Sequence, residues 1–129
     1  MSAEWQALAQ ARYLNLESTR RDGTAVRTPL WFAPDANGTF YVYSQAEAFK
    51  VKRLRREPRC RVAACDMRGG VTGPWLAARA QILAGEEAAR GMALLDRRYW
   101  PWKQMLGLLA RLRPAHARVV IALRPAGGG

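Results

Sequence analysis

Residues Arg12–Ala33, RYLNLESTRRDGTAVRTPLWFA, decide between a helical and a β architecture. From Leu14 onward apolar and polar residues alternate. Leu14 and Leu16 fall on one side, Asn15 and Glu17 on the other, the two-residue period of a strand with one face in a core. Asp22-Gly23 interrupts that run as a tight-turn pair, because glycine enters positive φ without a Cβ penalty. The hairpin partner Ala25–Ala33 carries Val26, Thr28, Leu30 and Phe32 on one face. Arg27, Pro29, Trp31 and Ala33 take the other. Pro29 has no N–H to give a neighbouring strand, so it marks a sheet edge, a bulge or a place where something other than a strand docks.

Working outward, Ser2–Ala11 reads as a short helix with Trp5, Leu8 and Ala9 on one face. The loop Pro34–Gly38 leads to an aromatic strand, Thr39–Ser44. Ser44-Gln45-Ala46-Glu47 has the form of a capping box, with Ser44 as N-cap and Glu47 answering three residues on. The helix it opens runs to about Arg56 and stops before Pro58. A strand over Arg59–Asp66, a loop over Met67–Gly73 and a long strand over Pro74–Ala84 follow. Two helices, Glu86–Trp100 and Pro101–Leu112, and a final strand, Ala117–Pro125, complete the chain. Residues 126–129 are expected to form a disordered tail. Short antiparallel strands with helices segregated between them predict an antiparallel barrel, not a doubly wound parallel sheet.

At 129 residues the length predicts one domain spanning 1–129, small enough that dimerisation would add stability. No run reaches the roughly 18 to 20 apolar residues that cross a membrane. The segment MSAEWQALAQ has neither the basic nor the apolar region of a signal peptide, which predicts a cytoplasmic location. Cys60 and Cys65 are five residues apart on one strand, an odd spacing that points them to opposite faces and keeps them from bonding each other. His116 is the sole histidine. That leaves no zinc ligand set and no Ser-His or Cys-His pair with an orienting group. Nor is there a glycine-rich phosphate loop of the GxGxxG or Walker type.

The chain carries 21 basic and 10 acidic residues, a formal charge of +11, which implies anionic partners or a dense counter-ion atmosphere. A general arginine bias would spread cations evenly and so does not account for their crowding. Seven of the twelve residues from Lys50 to Arg61 are cationic. On the expected helix Val51 and Leu54 form the apolar stripe. Lys50 and Arg53 share one flank, Lys52 and Arg56 the other. Two cations one turn apart near a helix start have the form of a phosphate clamp. The same residues also fit a solvated helix face.

The succession RDGTAVRTPLWF (21–32), FYVYSQAEAFKVKRLRREPRCRVAACD (40–66) and GPWLAARAQIL (73–83) resembles the split-barrel flavin-binding proteins related to pyridoxamine 5'-phosphate oxidase. It is most similar to their deazaflavin (coenzyme F-420)-dependent subgroup. The likeness runs from about Arg12 to Leu83, and RVVIALRP (118–125) fits the terminal strand. It implies a mainly β protein: an antiparallel split β-barrel of the FMN-binding type with peripheral helices, working as a homodimer. It also implies FMN or coenzyme F-420 as cofactor and hydride transfer to or from a small substrate. On this resemblance Lys50 takes the phosphate lysine's place, and Arg53 follows three residues later. Tyr43 and Ser44 lie beside the ribityl chain and phosphate, and Thr28 and Pro29 border the ring. Arg27 matches a phosphate-binding arginine of the oxidase branch, and Trp75 begins the strand that reaches toward the partner's cofactor. Lys52, Arg55, Arg56 and Arg59 are left to meet an acidic cofactor tail or water. Trp100 and Trp102 are candidates to gate the ring face.

No residue stands out as the catalytic acid or base; Tyr43, Asp66 and Tyr99 are the candidates. Two other functional classes compete. A basic nucleic-acid-binding module fits the charge, yet RNP, KH and zinc motifs are absent and the aromatics alternate as core residues do. A split barrel that binds or stores a cofactor without catalysis fits the fold equally. A haem-handling relative is disfavoured by the single imidazole.

Overall fold

The computed structural model describes residues 2–46, 48–99 and 118–126. Its elements run α1 (Ala3–Ala9), β1 (Tyr13–Thr19), β2 (Ala25–Trp31), β3 (Ala33–Pro34), β4 (Phe40–Gln45) and α2 (Phe49–Arg56). Then come β5 (Arg59–Cys65), β6 (Leu76–Leu83), α3 (Gly85–Tyr99) and β7 (Arg118–Pro125). The seven strands form one sheet in the order β2-β1-β5-β6-β7-β4-β3, antiparallel at every pairing. β2 and β4 lie toward opposite margins of that order and still touch each other. The sheet therefore curls until its margins meet, which is an antiparallel split barrel.

The turn chemistry behaves as its residues dictate. Gly23 sits at φ 89°, and the Asp22 carboxylate accepts the Thr24 N–H at 2.9 Å. That turn sets Thr19 opposite Ala25 and carries the register down to Tyr13 opposite Trp31. β2 is an edge strand, so the missing N–H of Pro29 costs the sheet little. Leu14, Leu16, Phe40, Val42, Val62, Ile121 and Leu123 fill the barrel, each fully or almost fully buried. Each such side chain contributes roughly 1.5–3 kcal/mol relative to exposure. α2 closes one end with Val51 and Leu54, and the ring of Trp5 from α1 packs edge-on against Phe40 at 5.3 Å.

Several elements differ from the sequence reading. The helix expected from Ser44 begins at Phe49, with Ala48 at its N-cap and no side-chain cap. Ser44 belongs to β4, where its hydroxyl donates to the Gln45 carbonyl at 3.3 Å. Strand pairing with β7 claims Ser44 and Gln45 before a helix can form. The long strand begins at Leu76, so Trp75 stands just before β6 and not in it. Ala126 is held by its N–H to the Ala77 carbonyl at 3.1 Å and is not part of a loose tail. The helix at 101–112, Trp100, Trp102, Glu47, His116 and residues 127–129 lie outside the described residues.

The hairpin partner is broken at Phe32, where the Tyr99 hydroxyl replaces a strand. It accepts the Phe32 N–H at 3.0 Å, and its own proton has the Phe32 carbonyl at 2.8 Å and the Arg12 carbonyl at 2.9 Å as acceptors. The Tyr99 ring stacks on Trp31 at 4.8 Å and 11°. Tyr99→Phe keeps that stack and strands the buried Phe32 N–H, a loss of about 1–3 kcal/mol. Urea denaturation measures it; an unchanged midpoint means the N–H finds another acceptor.

Candidate functional site

Where β2 meets β4 the barrel leaves a cleft of about 330 Å³, lined by Pro29, Leu30, Trp31 and Tyr43. Its walls are the edge of a proline, an aliphatic chain and two aromatic rings, a surface suited to a flat ring system. Tyr43 is half-buried, and the Arg118 guanidinium lies 5.7 Å from its ring centre. Burial pushes its phenol up, opposed by the Arg118 charge and reinforced by Asp96. At neutral pH Tyr43 is thus a neutral hydroxyl.

A second feature lies at the end of the same hairpin. The Arg53 Nε donates to the buried Ser18 hydroxyl at 2.8 Å. Burial pulls the Arg53 guanidinium down first, followed by the charges of Arg20 and Arg56. Lys50, one turn earlier and half-buried, is pulled down by burial and then by the Arg53 charge. Among the described residues no carboxylate lies within ion-pair distance of either cation. Two cations partly stripped of water, repelling each other and lacking a counter-ion, are the chemistry of an anion site.

Register relates this cation pair to the cleft. Ser18 faces Val26, Leu16 faces Thr28 and Leu14 faces Leu30. From the Arg53–Ser18 contact to the Leu30 wall is therefore four residues along one face, about 13 Å at the strand rise. Thr28, half-buried, stands midway between them.

Arg27 and Trp75 lie elsewhere, on the opposite face of the sheet. Arg27 Nε bonds the Glu17 carboxylate at 3.0 Å, and Arg61 Nε holds its other oxygen at 2.7 Å. Both guanidiniums also lie against the Trp75 ring, 4.8 and 5.2 Å from its centre. The Arg61 hydrogen bonds hold the Glu17 carboxyl below its usual range, burial opposes, and Arg27 adds to the lowering. Of the eight residues expected at the site, the structure thus groups Pro29 and Tyr43 in the cleft and Lys50 and Arg53 at its cationic end. Thr28 lies between them, Ser44 points into the core, and Arg27 and Trp75 form a separate cluster.

Sequence reasoning missed Ser18 and Glu17. Both were accessible through the hairpin register, since an Asp-Gly turn that sets Thr19 opposite Ala25 also sets Ser18 opposite Val26 and Glu17 opposite Arg27. The surplus arginines are largely engaged within the chain, contrary to expectation. Arg56 donates to the Thr19 carbonyl, and Arg59 bonds both oxygens of Glu57 at 3.1 and 2.8 Å. The expected odd-spacing separation of the cysteines is modified by the curl: Cys60 and Cys65 are both buried and both free.

The Lys50 shift has a defined sign. Its folded-state value lies below the unfolded one, so its positive charge disfavours folding in full at neutral pH. Stability rises only as alkaline pH strips the proton. Lys50→Met therefore raises the melting temperature of the ligand-free protein at pH 7 and removes the stabilisation that added inorganic phosphate gives the unmodified chain. Thermal denaturation with and without phosphate reads both effects. A lower melting temperature with the phosphate effect intact means that Lys50 is a solvated surface cation.

The family described as pyridoxamine 5'-phosphate oxidase matches the chain over residues 1–128. No curated protein matches it in sequence. Among solved structures, a conserved hypothetical protein from Mycobacterium tuberculosis is 21% identical, with TM-score 0.70 over 98% of this chain and 82% of that one. An F420 reductase is 19% identical, with TM-score 0.61 over 98% of this chain and 97% of that one. The heme storage protein HutZ from Vibrio cholerae is 15% identical, with TM-score 0.70 over 95% of this chain and 87% of that one. At such identities the likeness establishes the fold.

Proposed function

The chain belongs to the pyridoxamine 5'-phosphate oxidase family, and from that membership we propose that it binds a flavin-type cofactor, FMN or coenzyme F-420. The observation that carries the reading is the Lys50–Arg53 pair, half-buried and without a carboxylate among the described residues, at one end of a face that leads to the Pro29–Tyr43 cleft. Lys50, Arg53 and the Ser18 hydroxyl receive the cofactor phosphate. Thr28 lies along the connecting chain, and Pro29, Leu30, Trp31 and Tyr43 border the ring. The cofactor supplies hydride transfer, and the protein supplies position, charge and exclusion of water.

The proposed reaction is oxidation or reduction of a small substrate at the exposed ring face. The active form is a homodimer whose interface includes Trp75, and the protein works in the cytoplasm. Among the described residues no helix is long and apolar enough to cross a membrane. Arg27 stands outside this assignment, because Glu17 already engages its guanidinium. A preference for the deazaflavin through Arg55, Arg56 and Arg59 loses two of its three residues to Thr19 and Glu57. The choice between the two cofactors is therefore left to measurement.

Absorption and fluorescence titration with FMN and with coenzyme F-420 tests the reading directly. Lys50→Ala and Arg53→Ala should each weaken binding roughly ten- to hundredfold, the loss of one charge-assisted phosphate contact. Lys52→Ala, on the other flank, should change it little. Equal losses at all three positions mean a diffuse basic surface and no phosphate clamp. Light scattering that finds only monomer at micromolar concentration removes the shared interface at Trp75.

A further inference from the structure

The outer face of the sheet carries two neighbouring rows of arginines, and the contrast between them is informative. In the first, Arg27 faces Glu17 across β2–β1 and Glu17 faces Arg61 across β1–β5. The carboxylate sits between two guanidiniums and bonds both. In the second, Arg59 faces Arg79 across β5–β6, and Arg79 faces Arg124 across β6–β7. No acid stands in that row. Glu57 reaches Arg59 from the preceding turn, and Arg124 donates to Gln81 at 2.7 Å. Among the described residues Arg79 has no carboxylate within ion-pair distance.

Like charges directly opposite each other weaken a sheet. One row shows how this sheet neutralises such a contact, and the other leaves it unneutralised on three adjacent strands. Arg59 and Arg79 are exposed, and Arg124 is half-buried. Adjacent strands lie roughly 4.8 Å apart, so the guanidiniums form a line of about 10 Å across the strands. Arginine forks bind phosphate oxygens in two-pronged fashion. A two-fold contact that buried this line against its own copy would bring six guanidiniums together, so the row stays outside any such dimer interface.

We propose that the Arg59–Arg79–Arg124 row is a docking surface for the phosphodiester backbone of a single-stranded nucleic acid. The whole-chain charge of +11 favours this occupant over a short acidic peptide. A polymer with a charge at every unit gains from the field of the entire molecule as well as from the local row. The surface is separate from the Lys50–Arg53 pair, so it does not depend on the cofactor reading.

The test uses the full chain and a fluorescein-labelled oligothymidylate, with anisotropy read over a salt series. The oligonucleotide should bind at about 50 mM salt, and Arg79→Ala and Arg124→Ala should each lower the slope of log affinity against log salt by about 0.7. Lys52→Ala and Arg55→Ala, on α2, should leave the slope unchanged. Arg79→Ala should also melt at the same or a higher temperature, since it removes a repulsion, which separates lost binding from lost folding. Absence of binding at low salt overturns the proposal. So does an equal loss from the α2 variants, or tighter binding of an oligoglutamate peptide than of the oligonucleotide through the same arginines.

Discussion

The register of the β1–β2 hairpin governs the placement of nearly everything functional in this protein. A two-residue side-chain period means that a slip by one residue would exchange the two faces of both strands. Asp22 and Gly23 prevent that slip by closing the turn with a positive φ and a carboxylate-to-amide bond. With register fixed, Leu14, Leu16 and Ser18 face inward beside Leu30, Thr28 and Val26. Glu17 must then face outward, where it meets Arg27 and, through β5, Arg61. The inward face gives the cleft and the hydroxyl that receives Arg53. The outward face gives a neutralised charge cluster under Trp75.

How much of this was legible in the sequence depended on the range of the interaction. The alternating strands, the Asp-Gly turn, the edge position marked by Pro29 and the Val51–Leu54 stripe are written within a few residues, and each appears in the structure. The capping box at Ser44 was an equally local signal and lost, because the pairing of β4 with β7 offers Ser44 and Gln45 a ladder that the local pattern does not announce. The break at Phe32 depends on Tyr99, 67 residues away. The engagement of Arg56 and Arg59 depends on where α2 lands against the end of β1 and on the turn at Glu57. Side-chain partners of long cations are set by such placements, which is why the basic segment was legible as a helix and not as a set of contacts.

Acid–base chemistry follows a consistent pattern among the described residues. Burial pushes the Cys60 thiol up to about 12 and raises Cys65 as well. Tyr43 and Tyr99 are raised too, mainly by burial. None of these is a nucleophile or a base near neutrality. A protein built this way contributes position and charge, consistent with reactions in which a bound cofactor carries the electrons.

The electrostatic economy of the sheet separates structural cations from those available to ligands. Arg27 and Arg61 are neutralised by one buried carboxylate and packed on an indole, so they strengthen the fold. Lys50 and Arg53 are desolvated against each other, and Arg79 stands between two other arginines in register. Both arrangements disfavour the folded chain when it is alone, and both become favourable when an anion arrives, because the same desolvation that penalises an isolated charge strengthens its attraction to an opposite one. A cation that costs stability in the free protein, beside a neighbour that is neutralised, therefore marks where the chain expects an anionic ligand more reliably than the density of positive charge along its sequence.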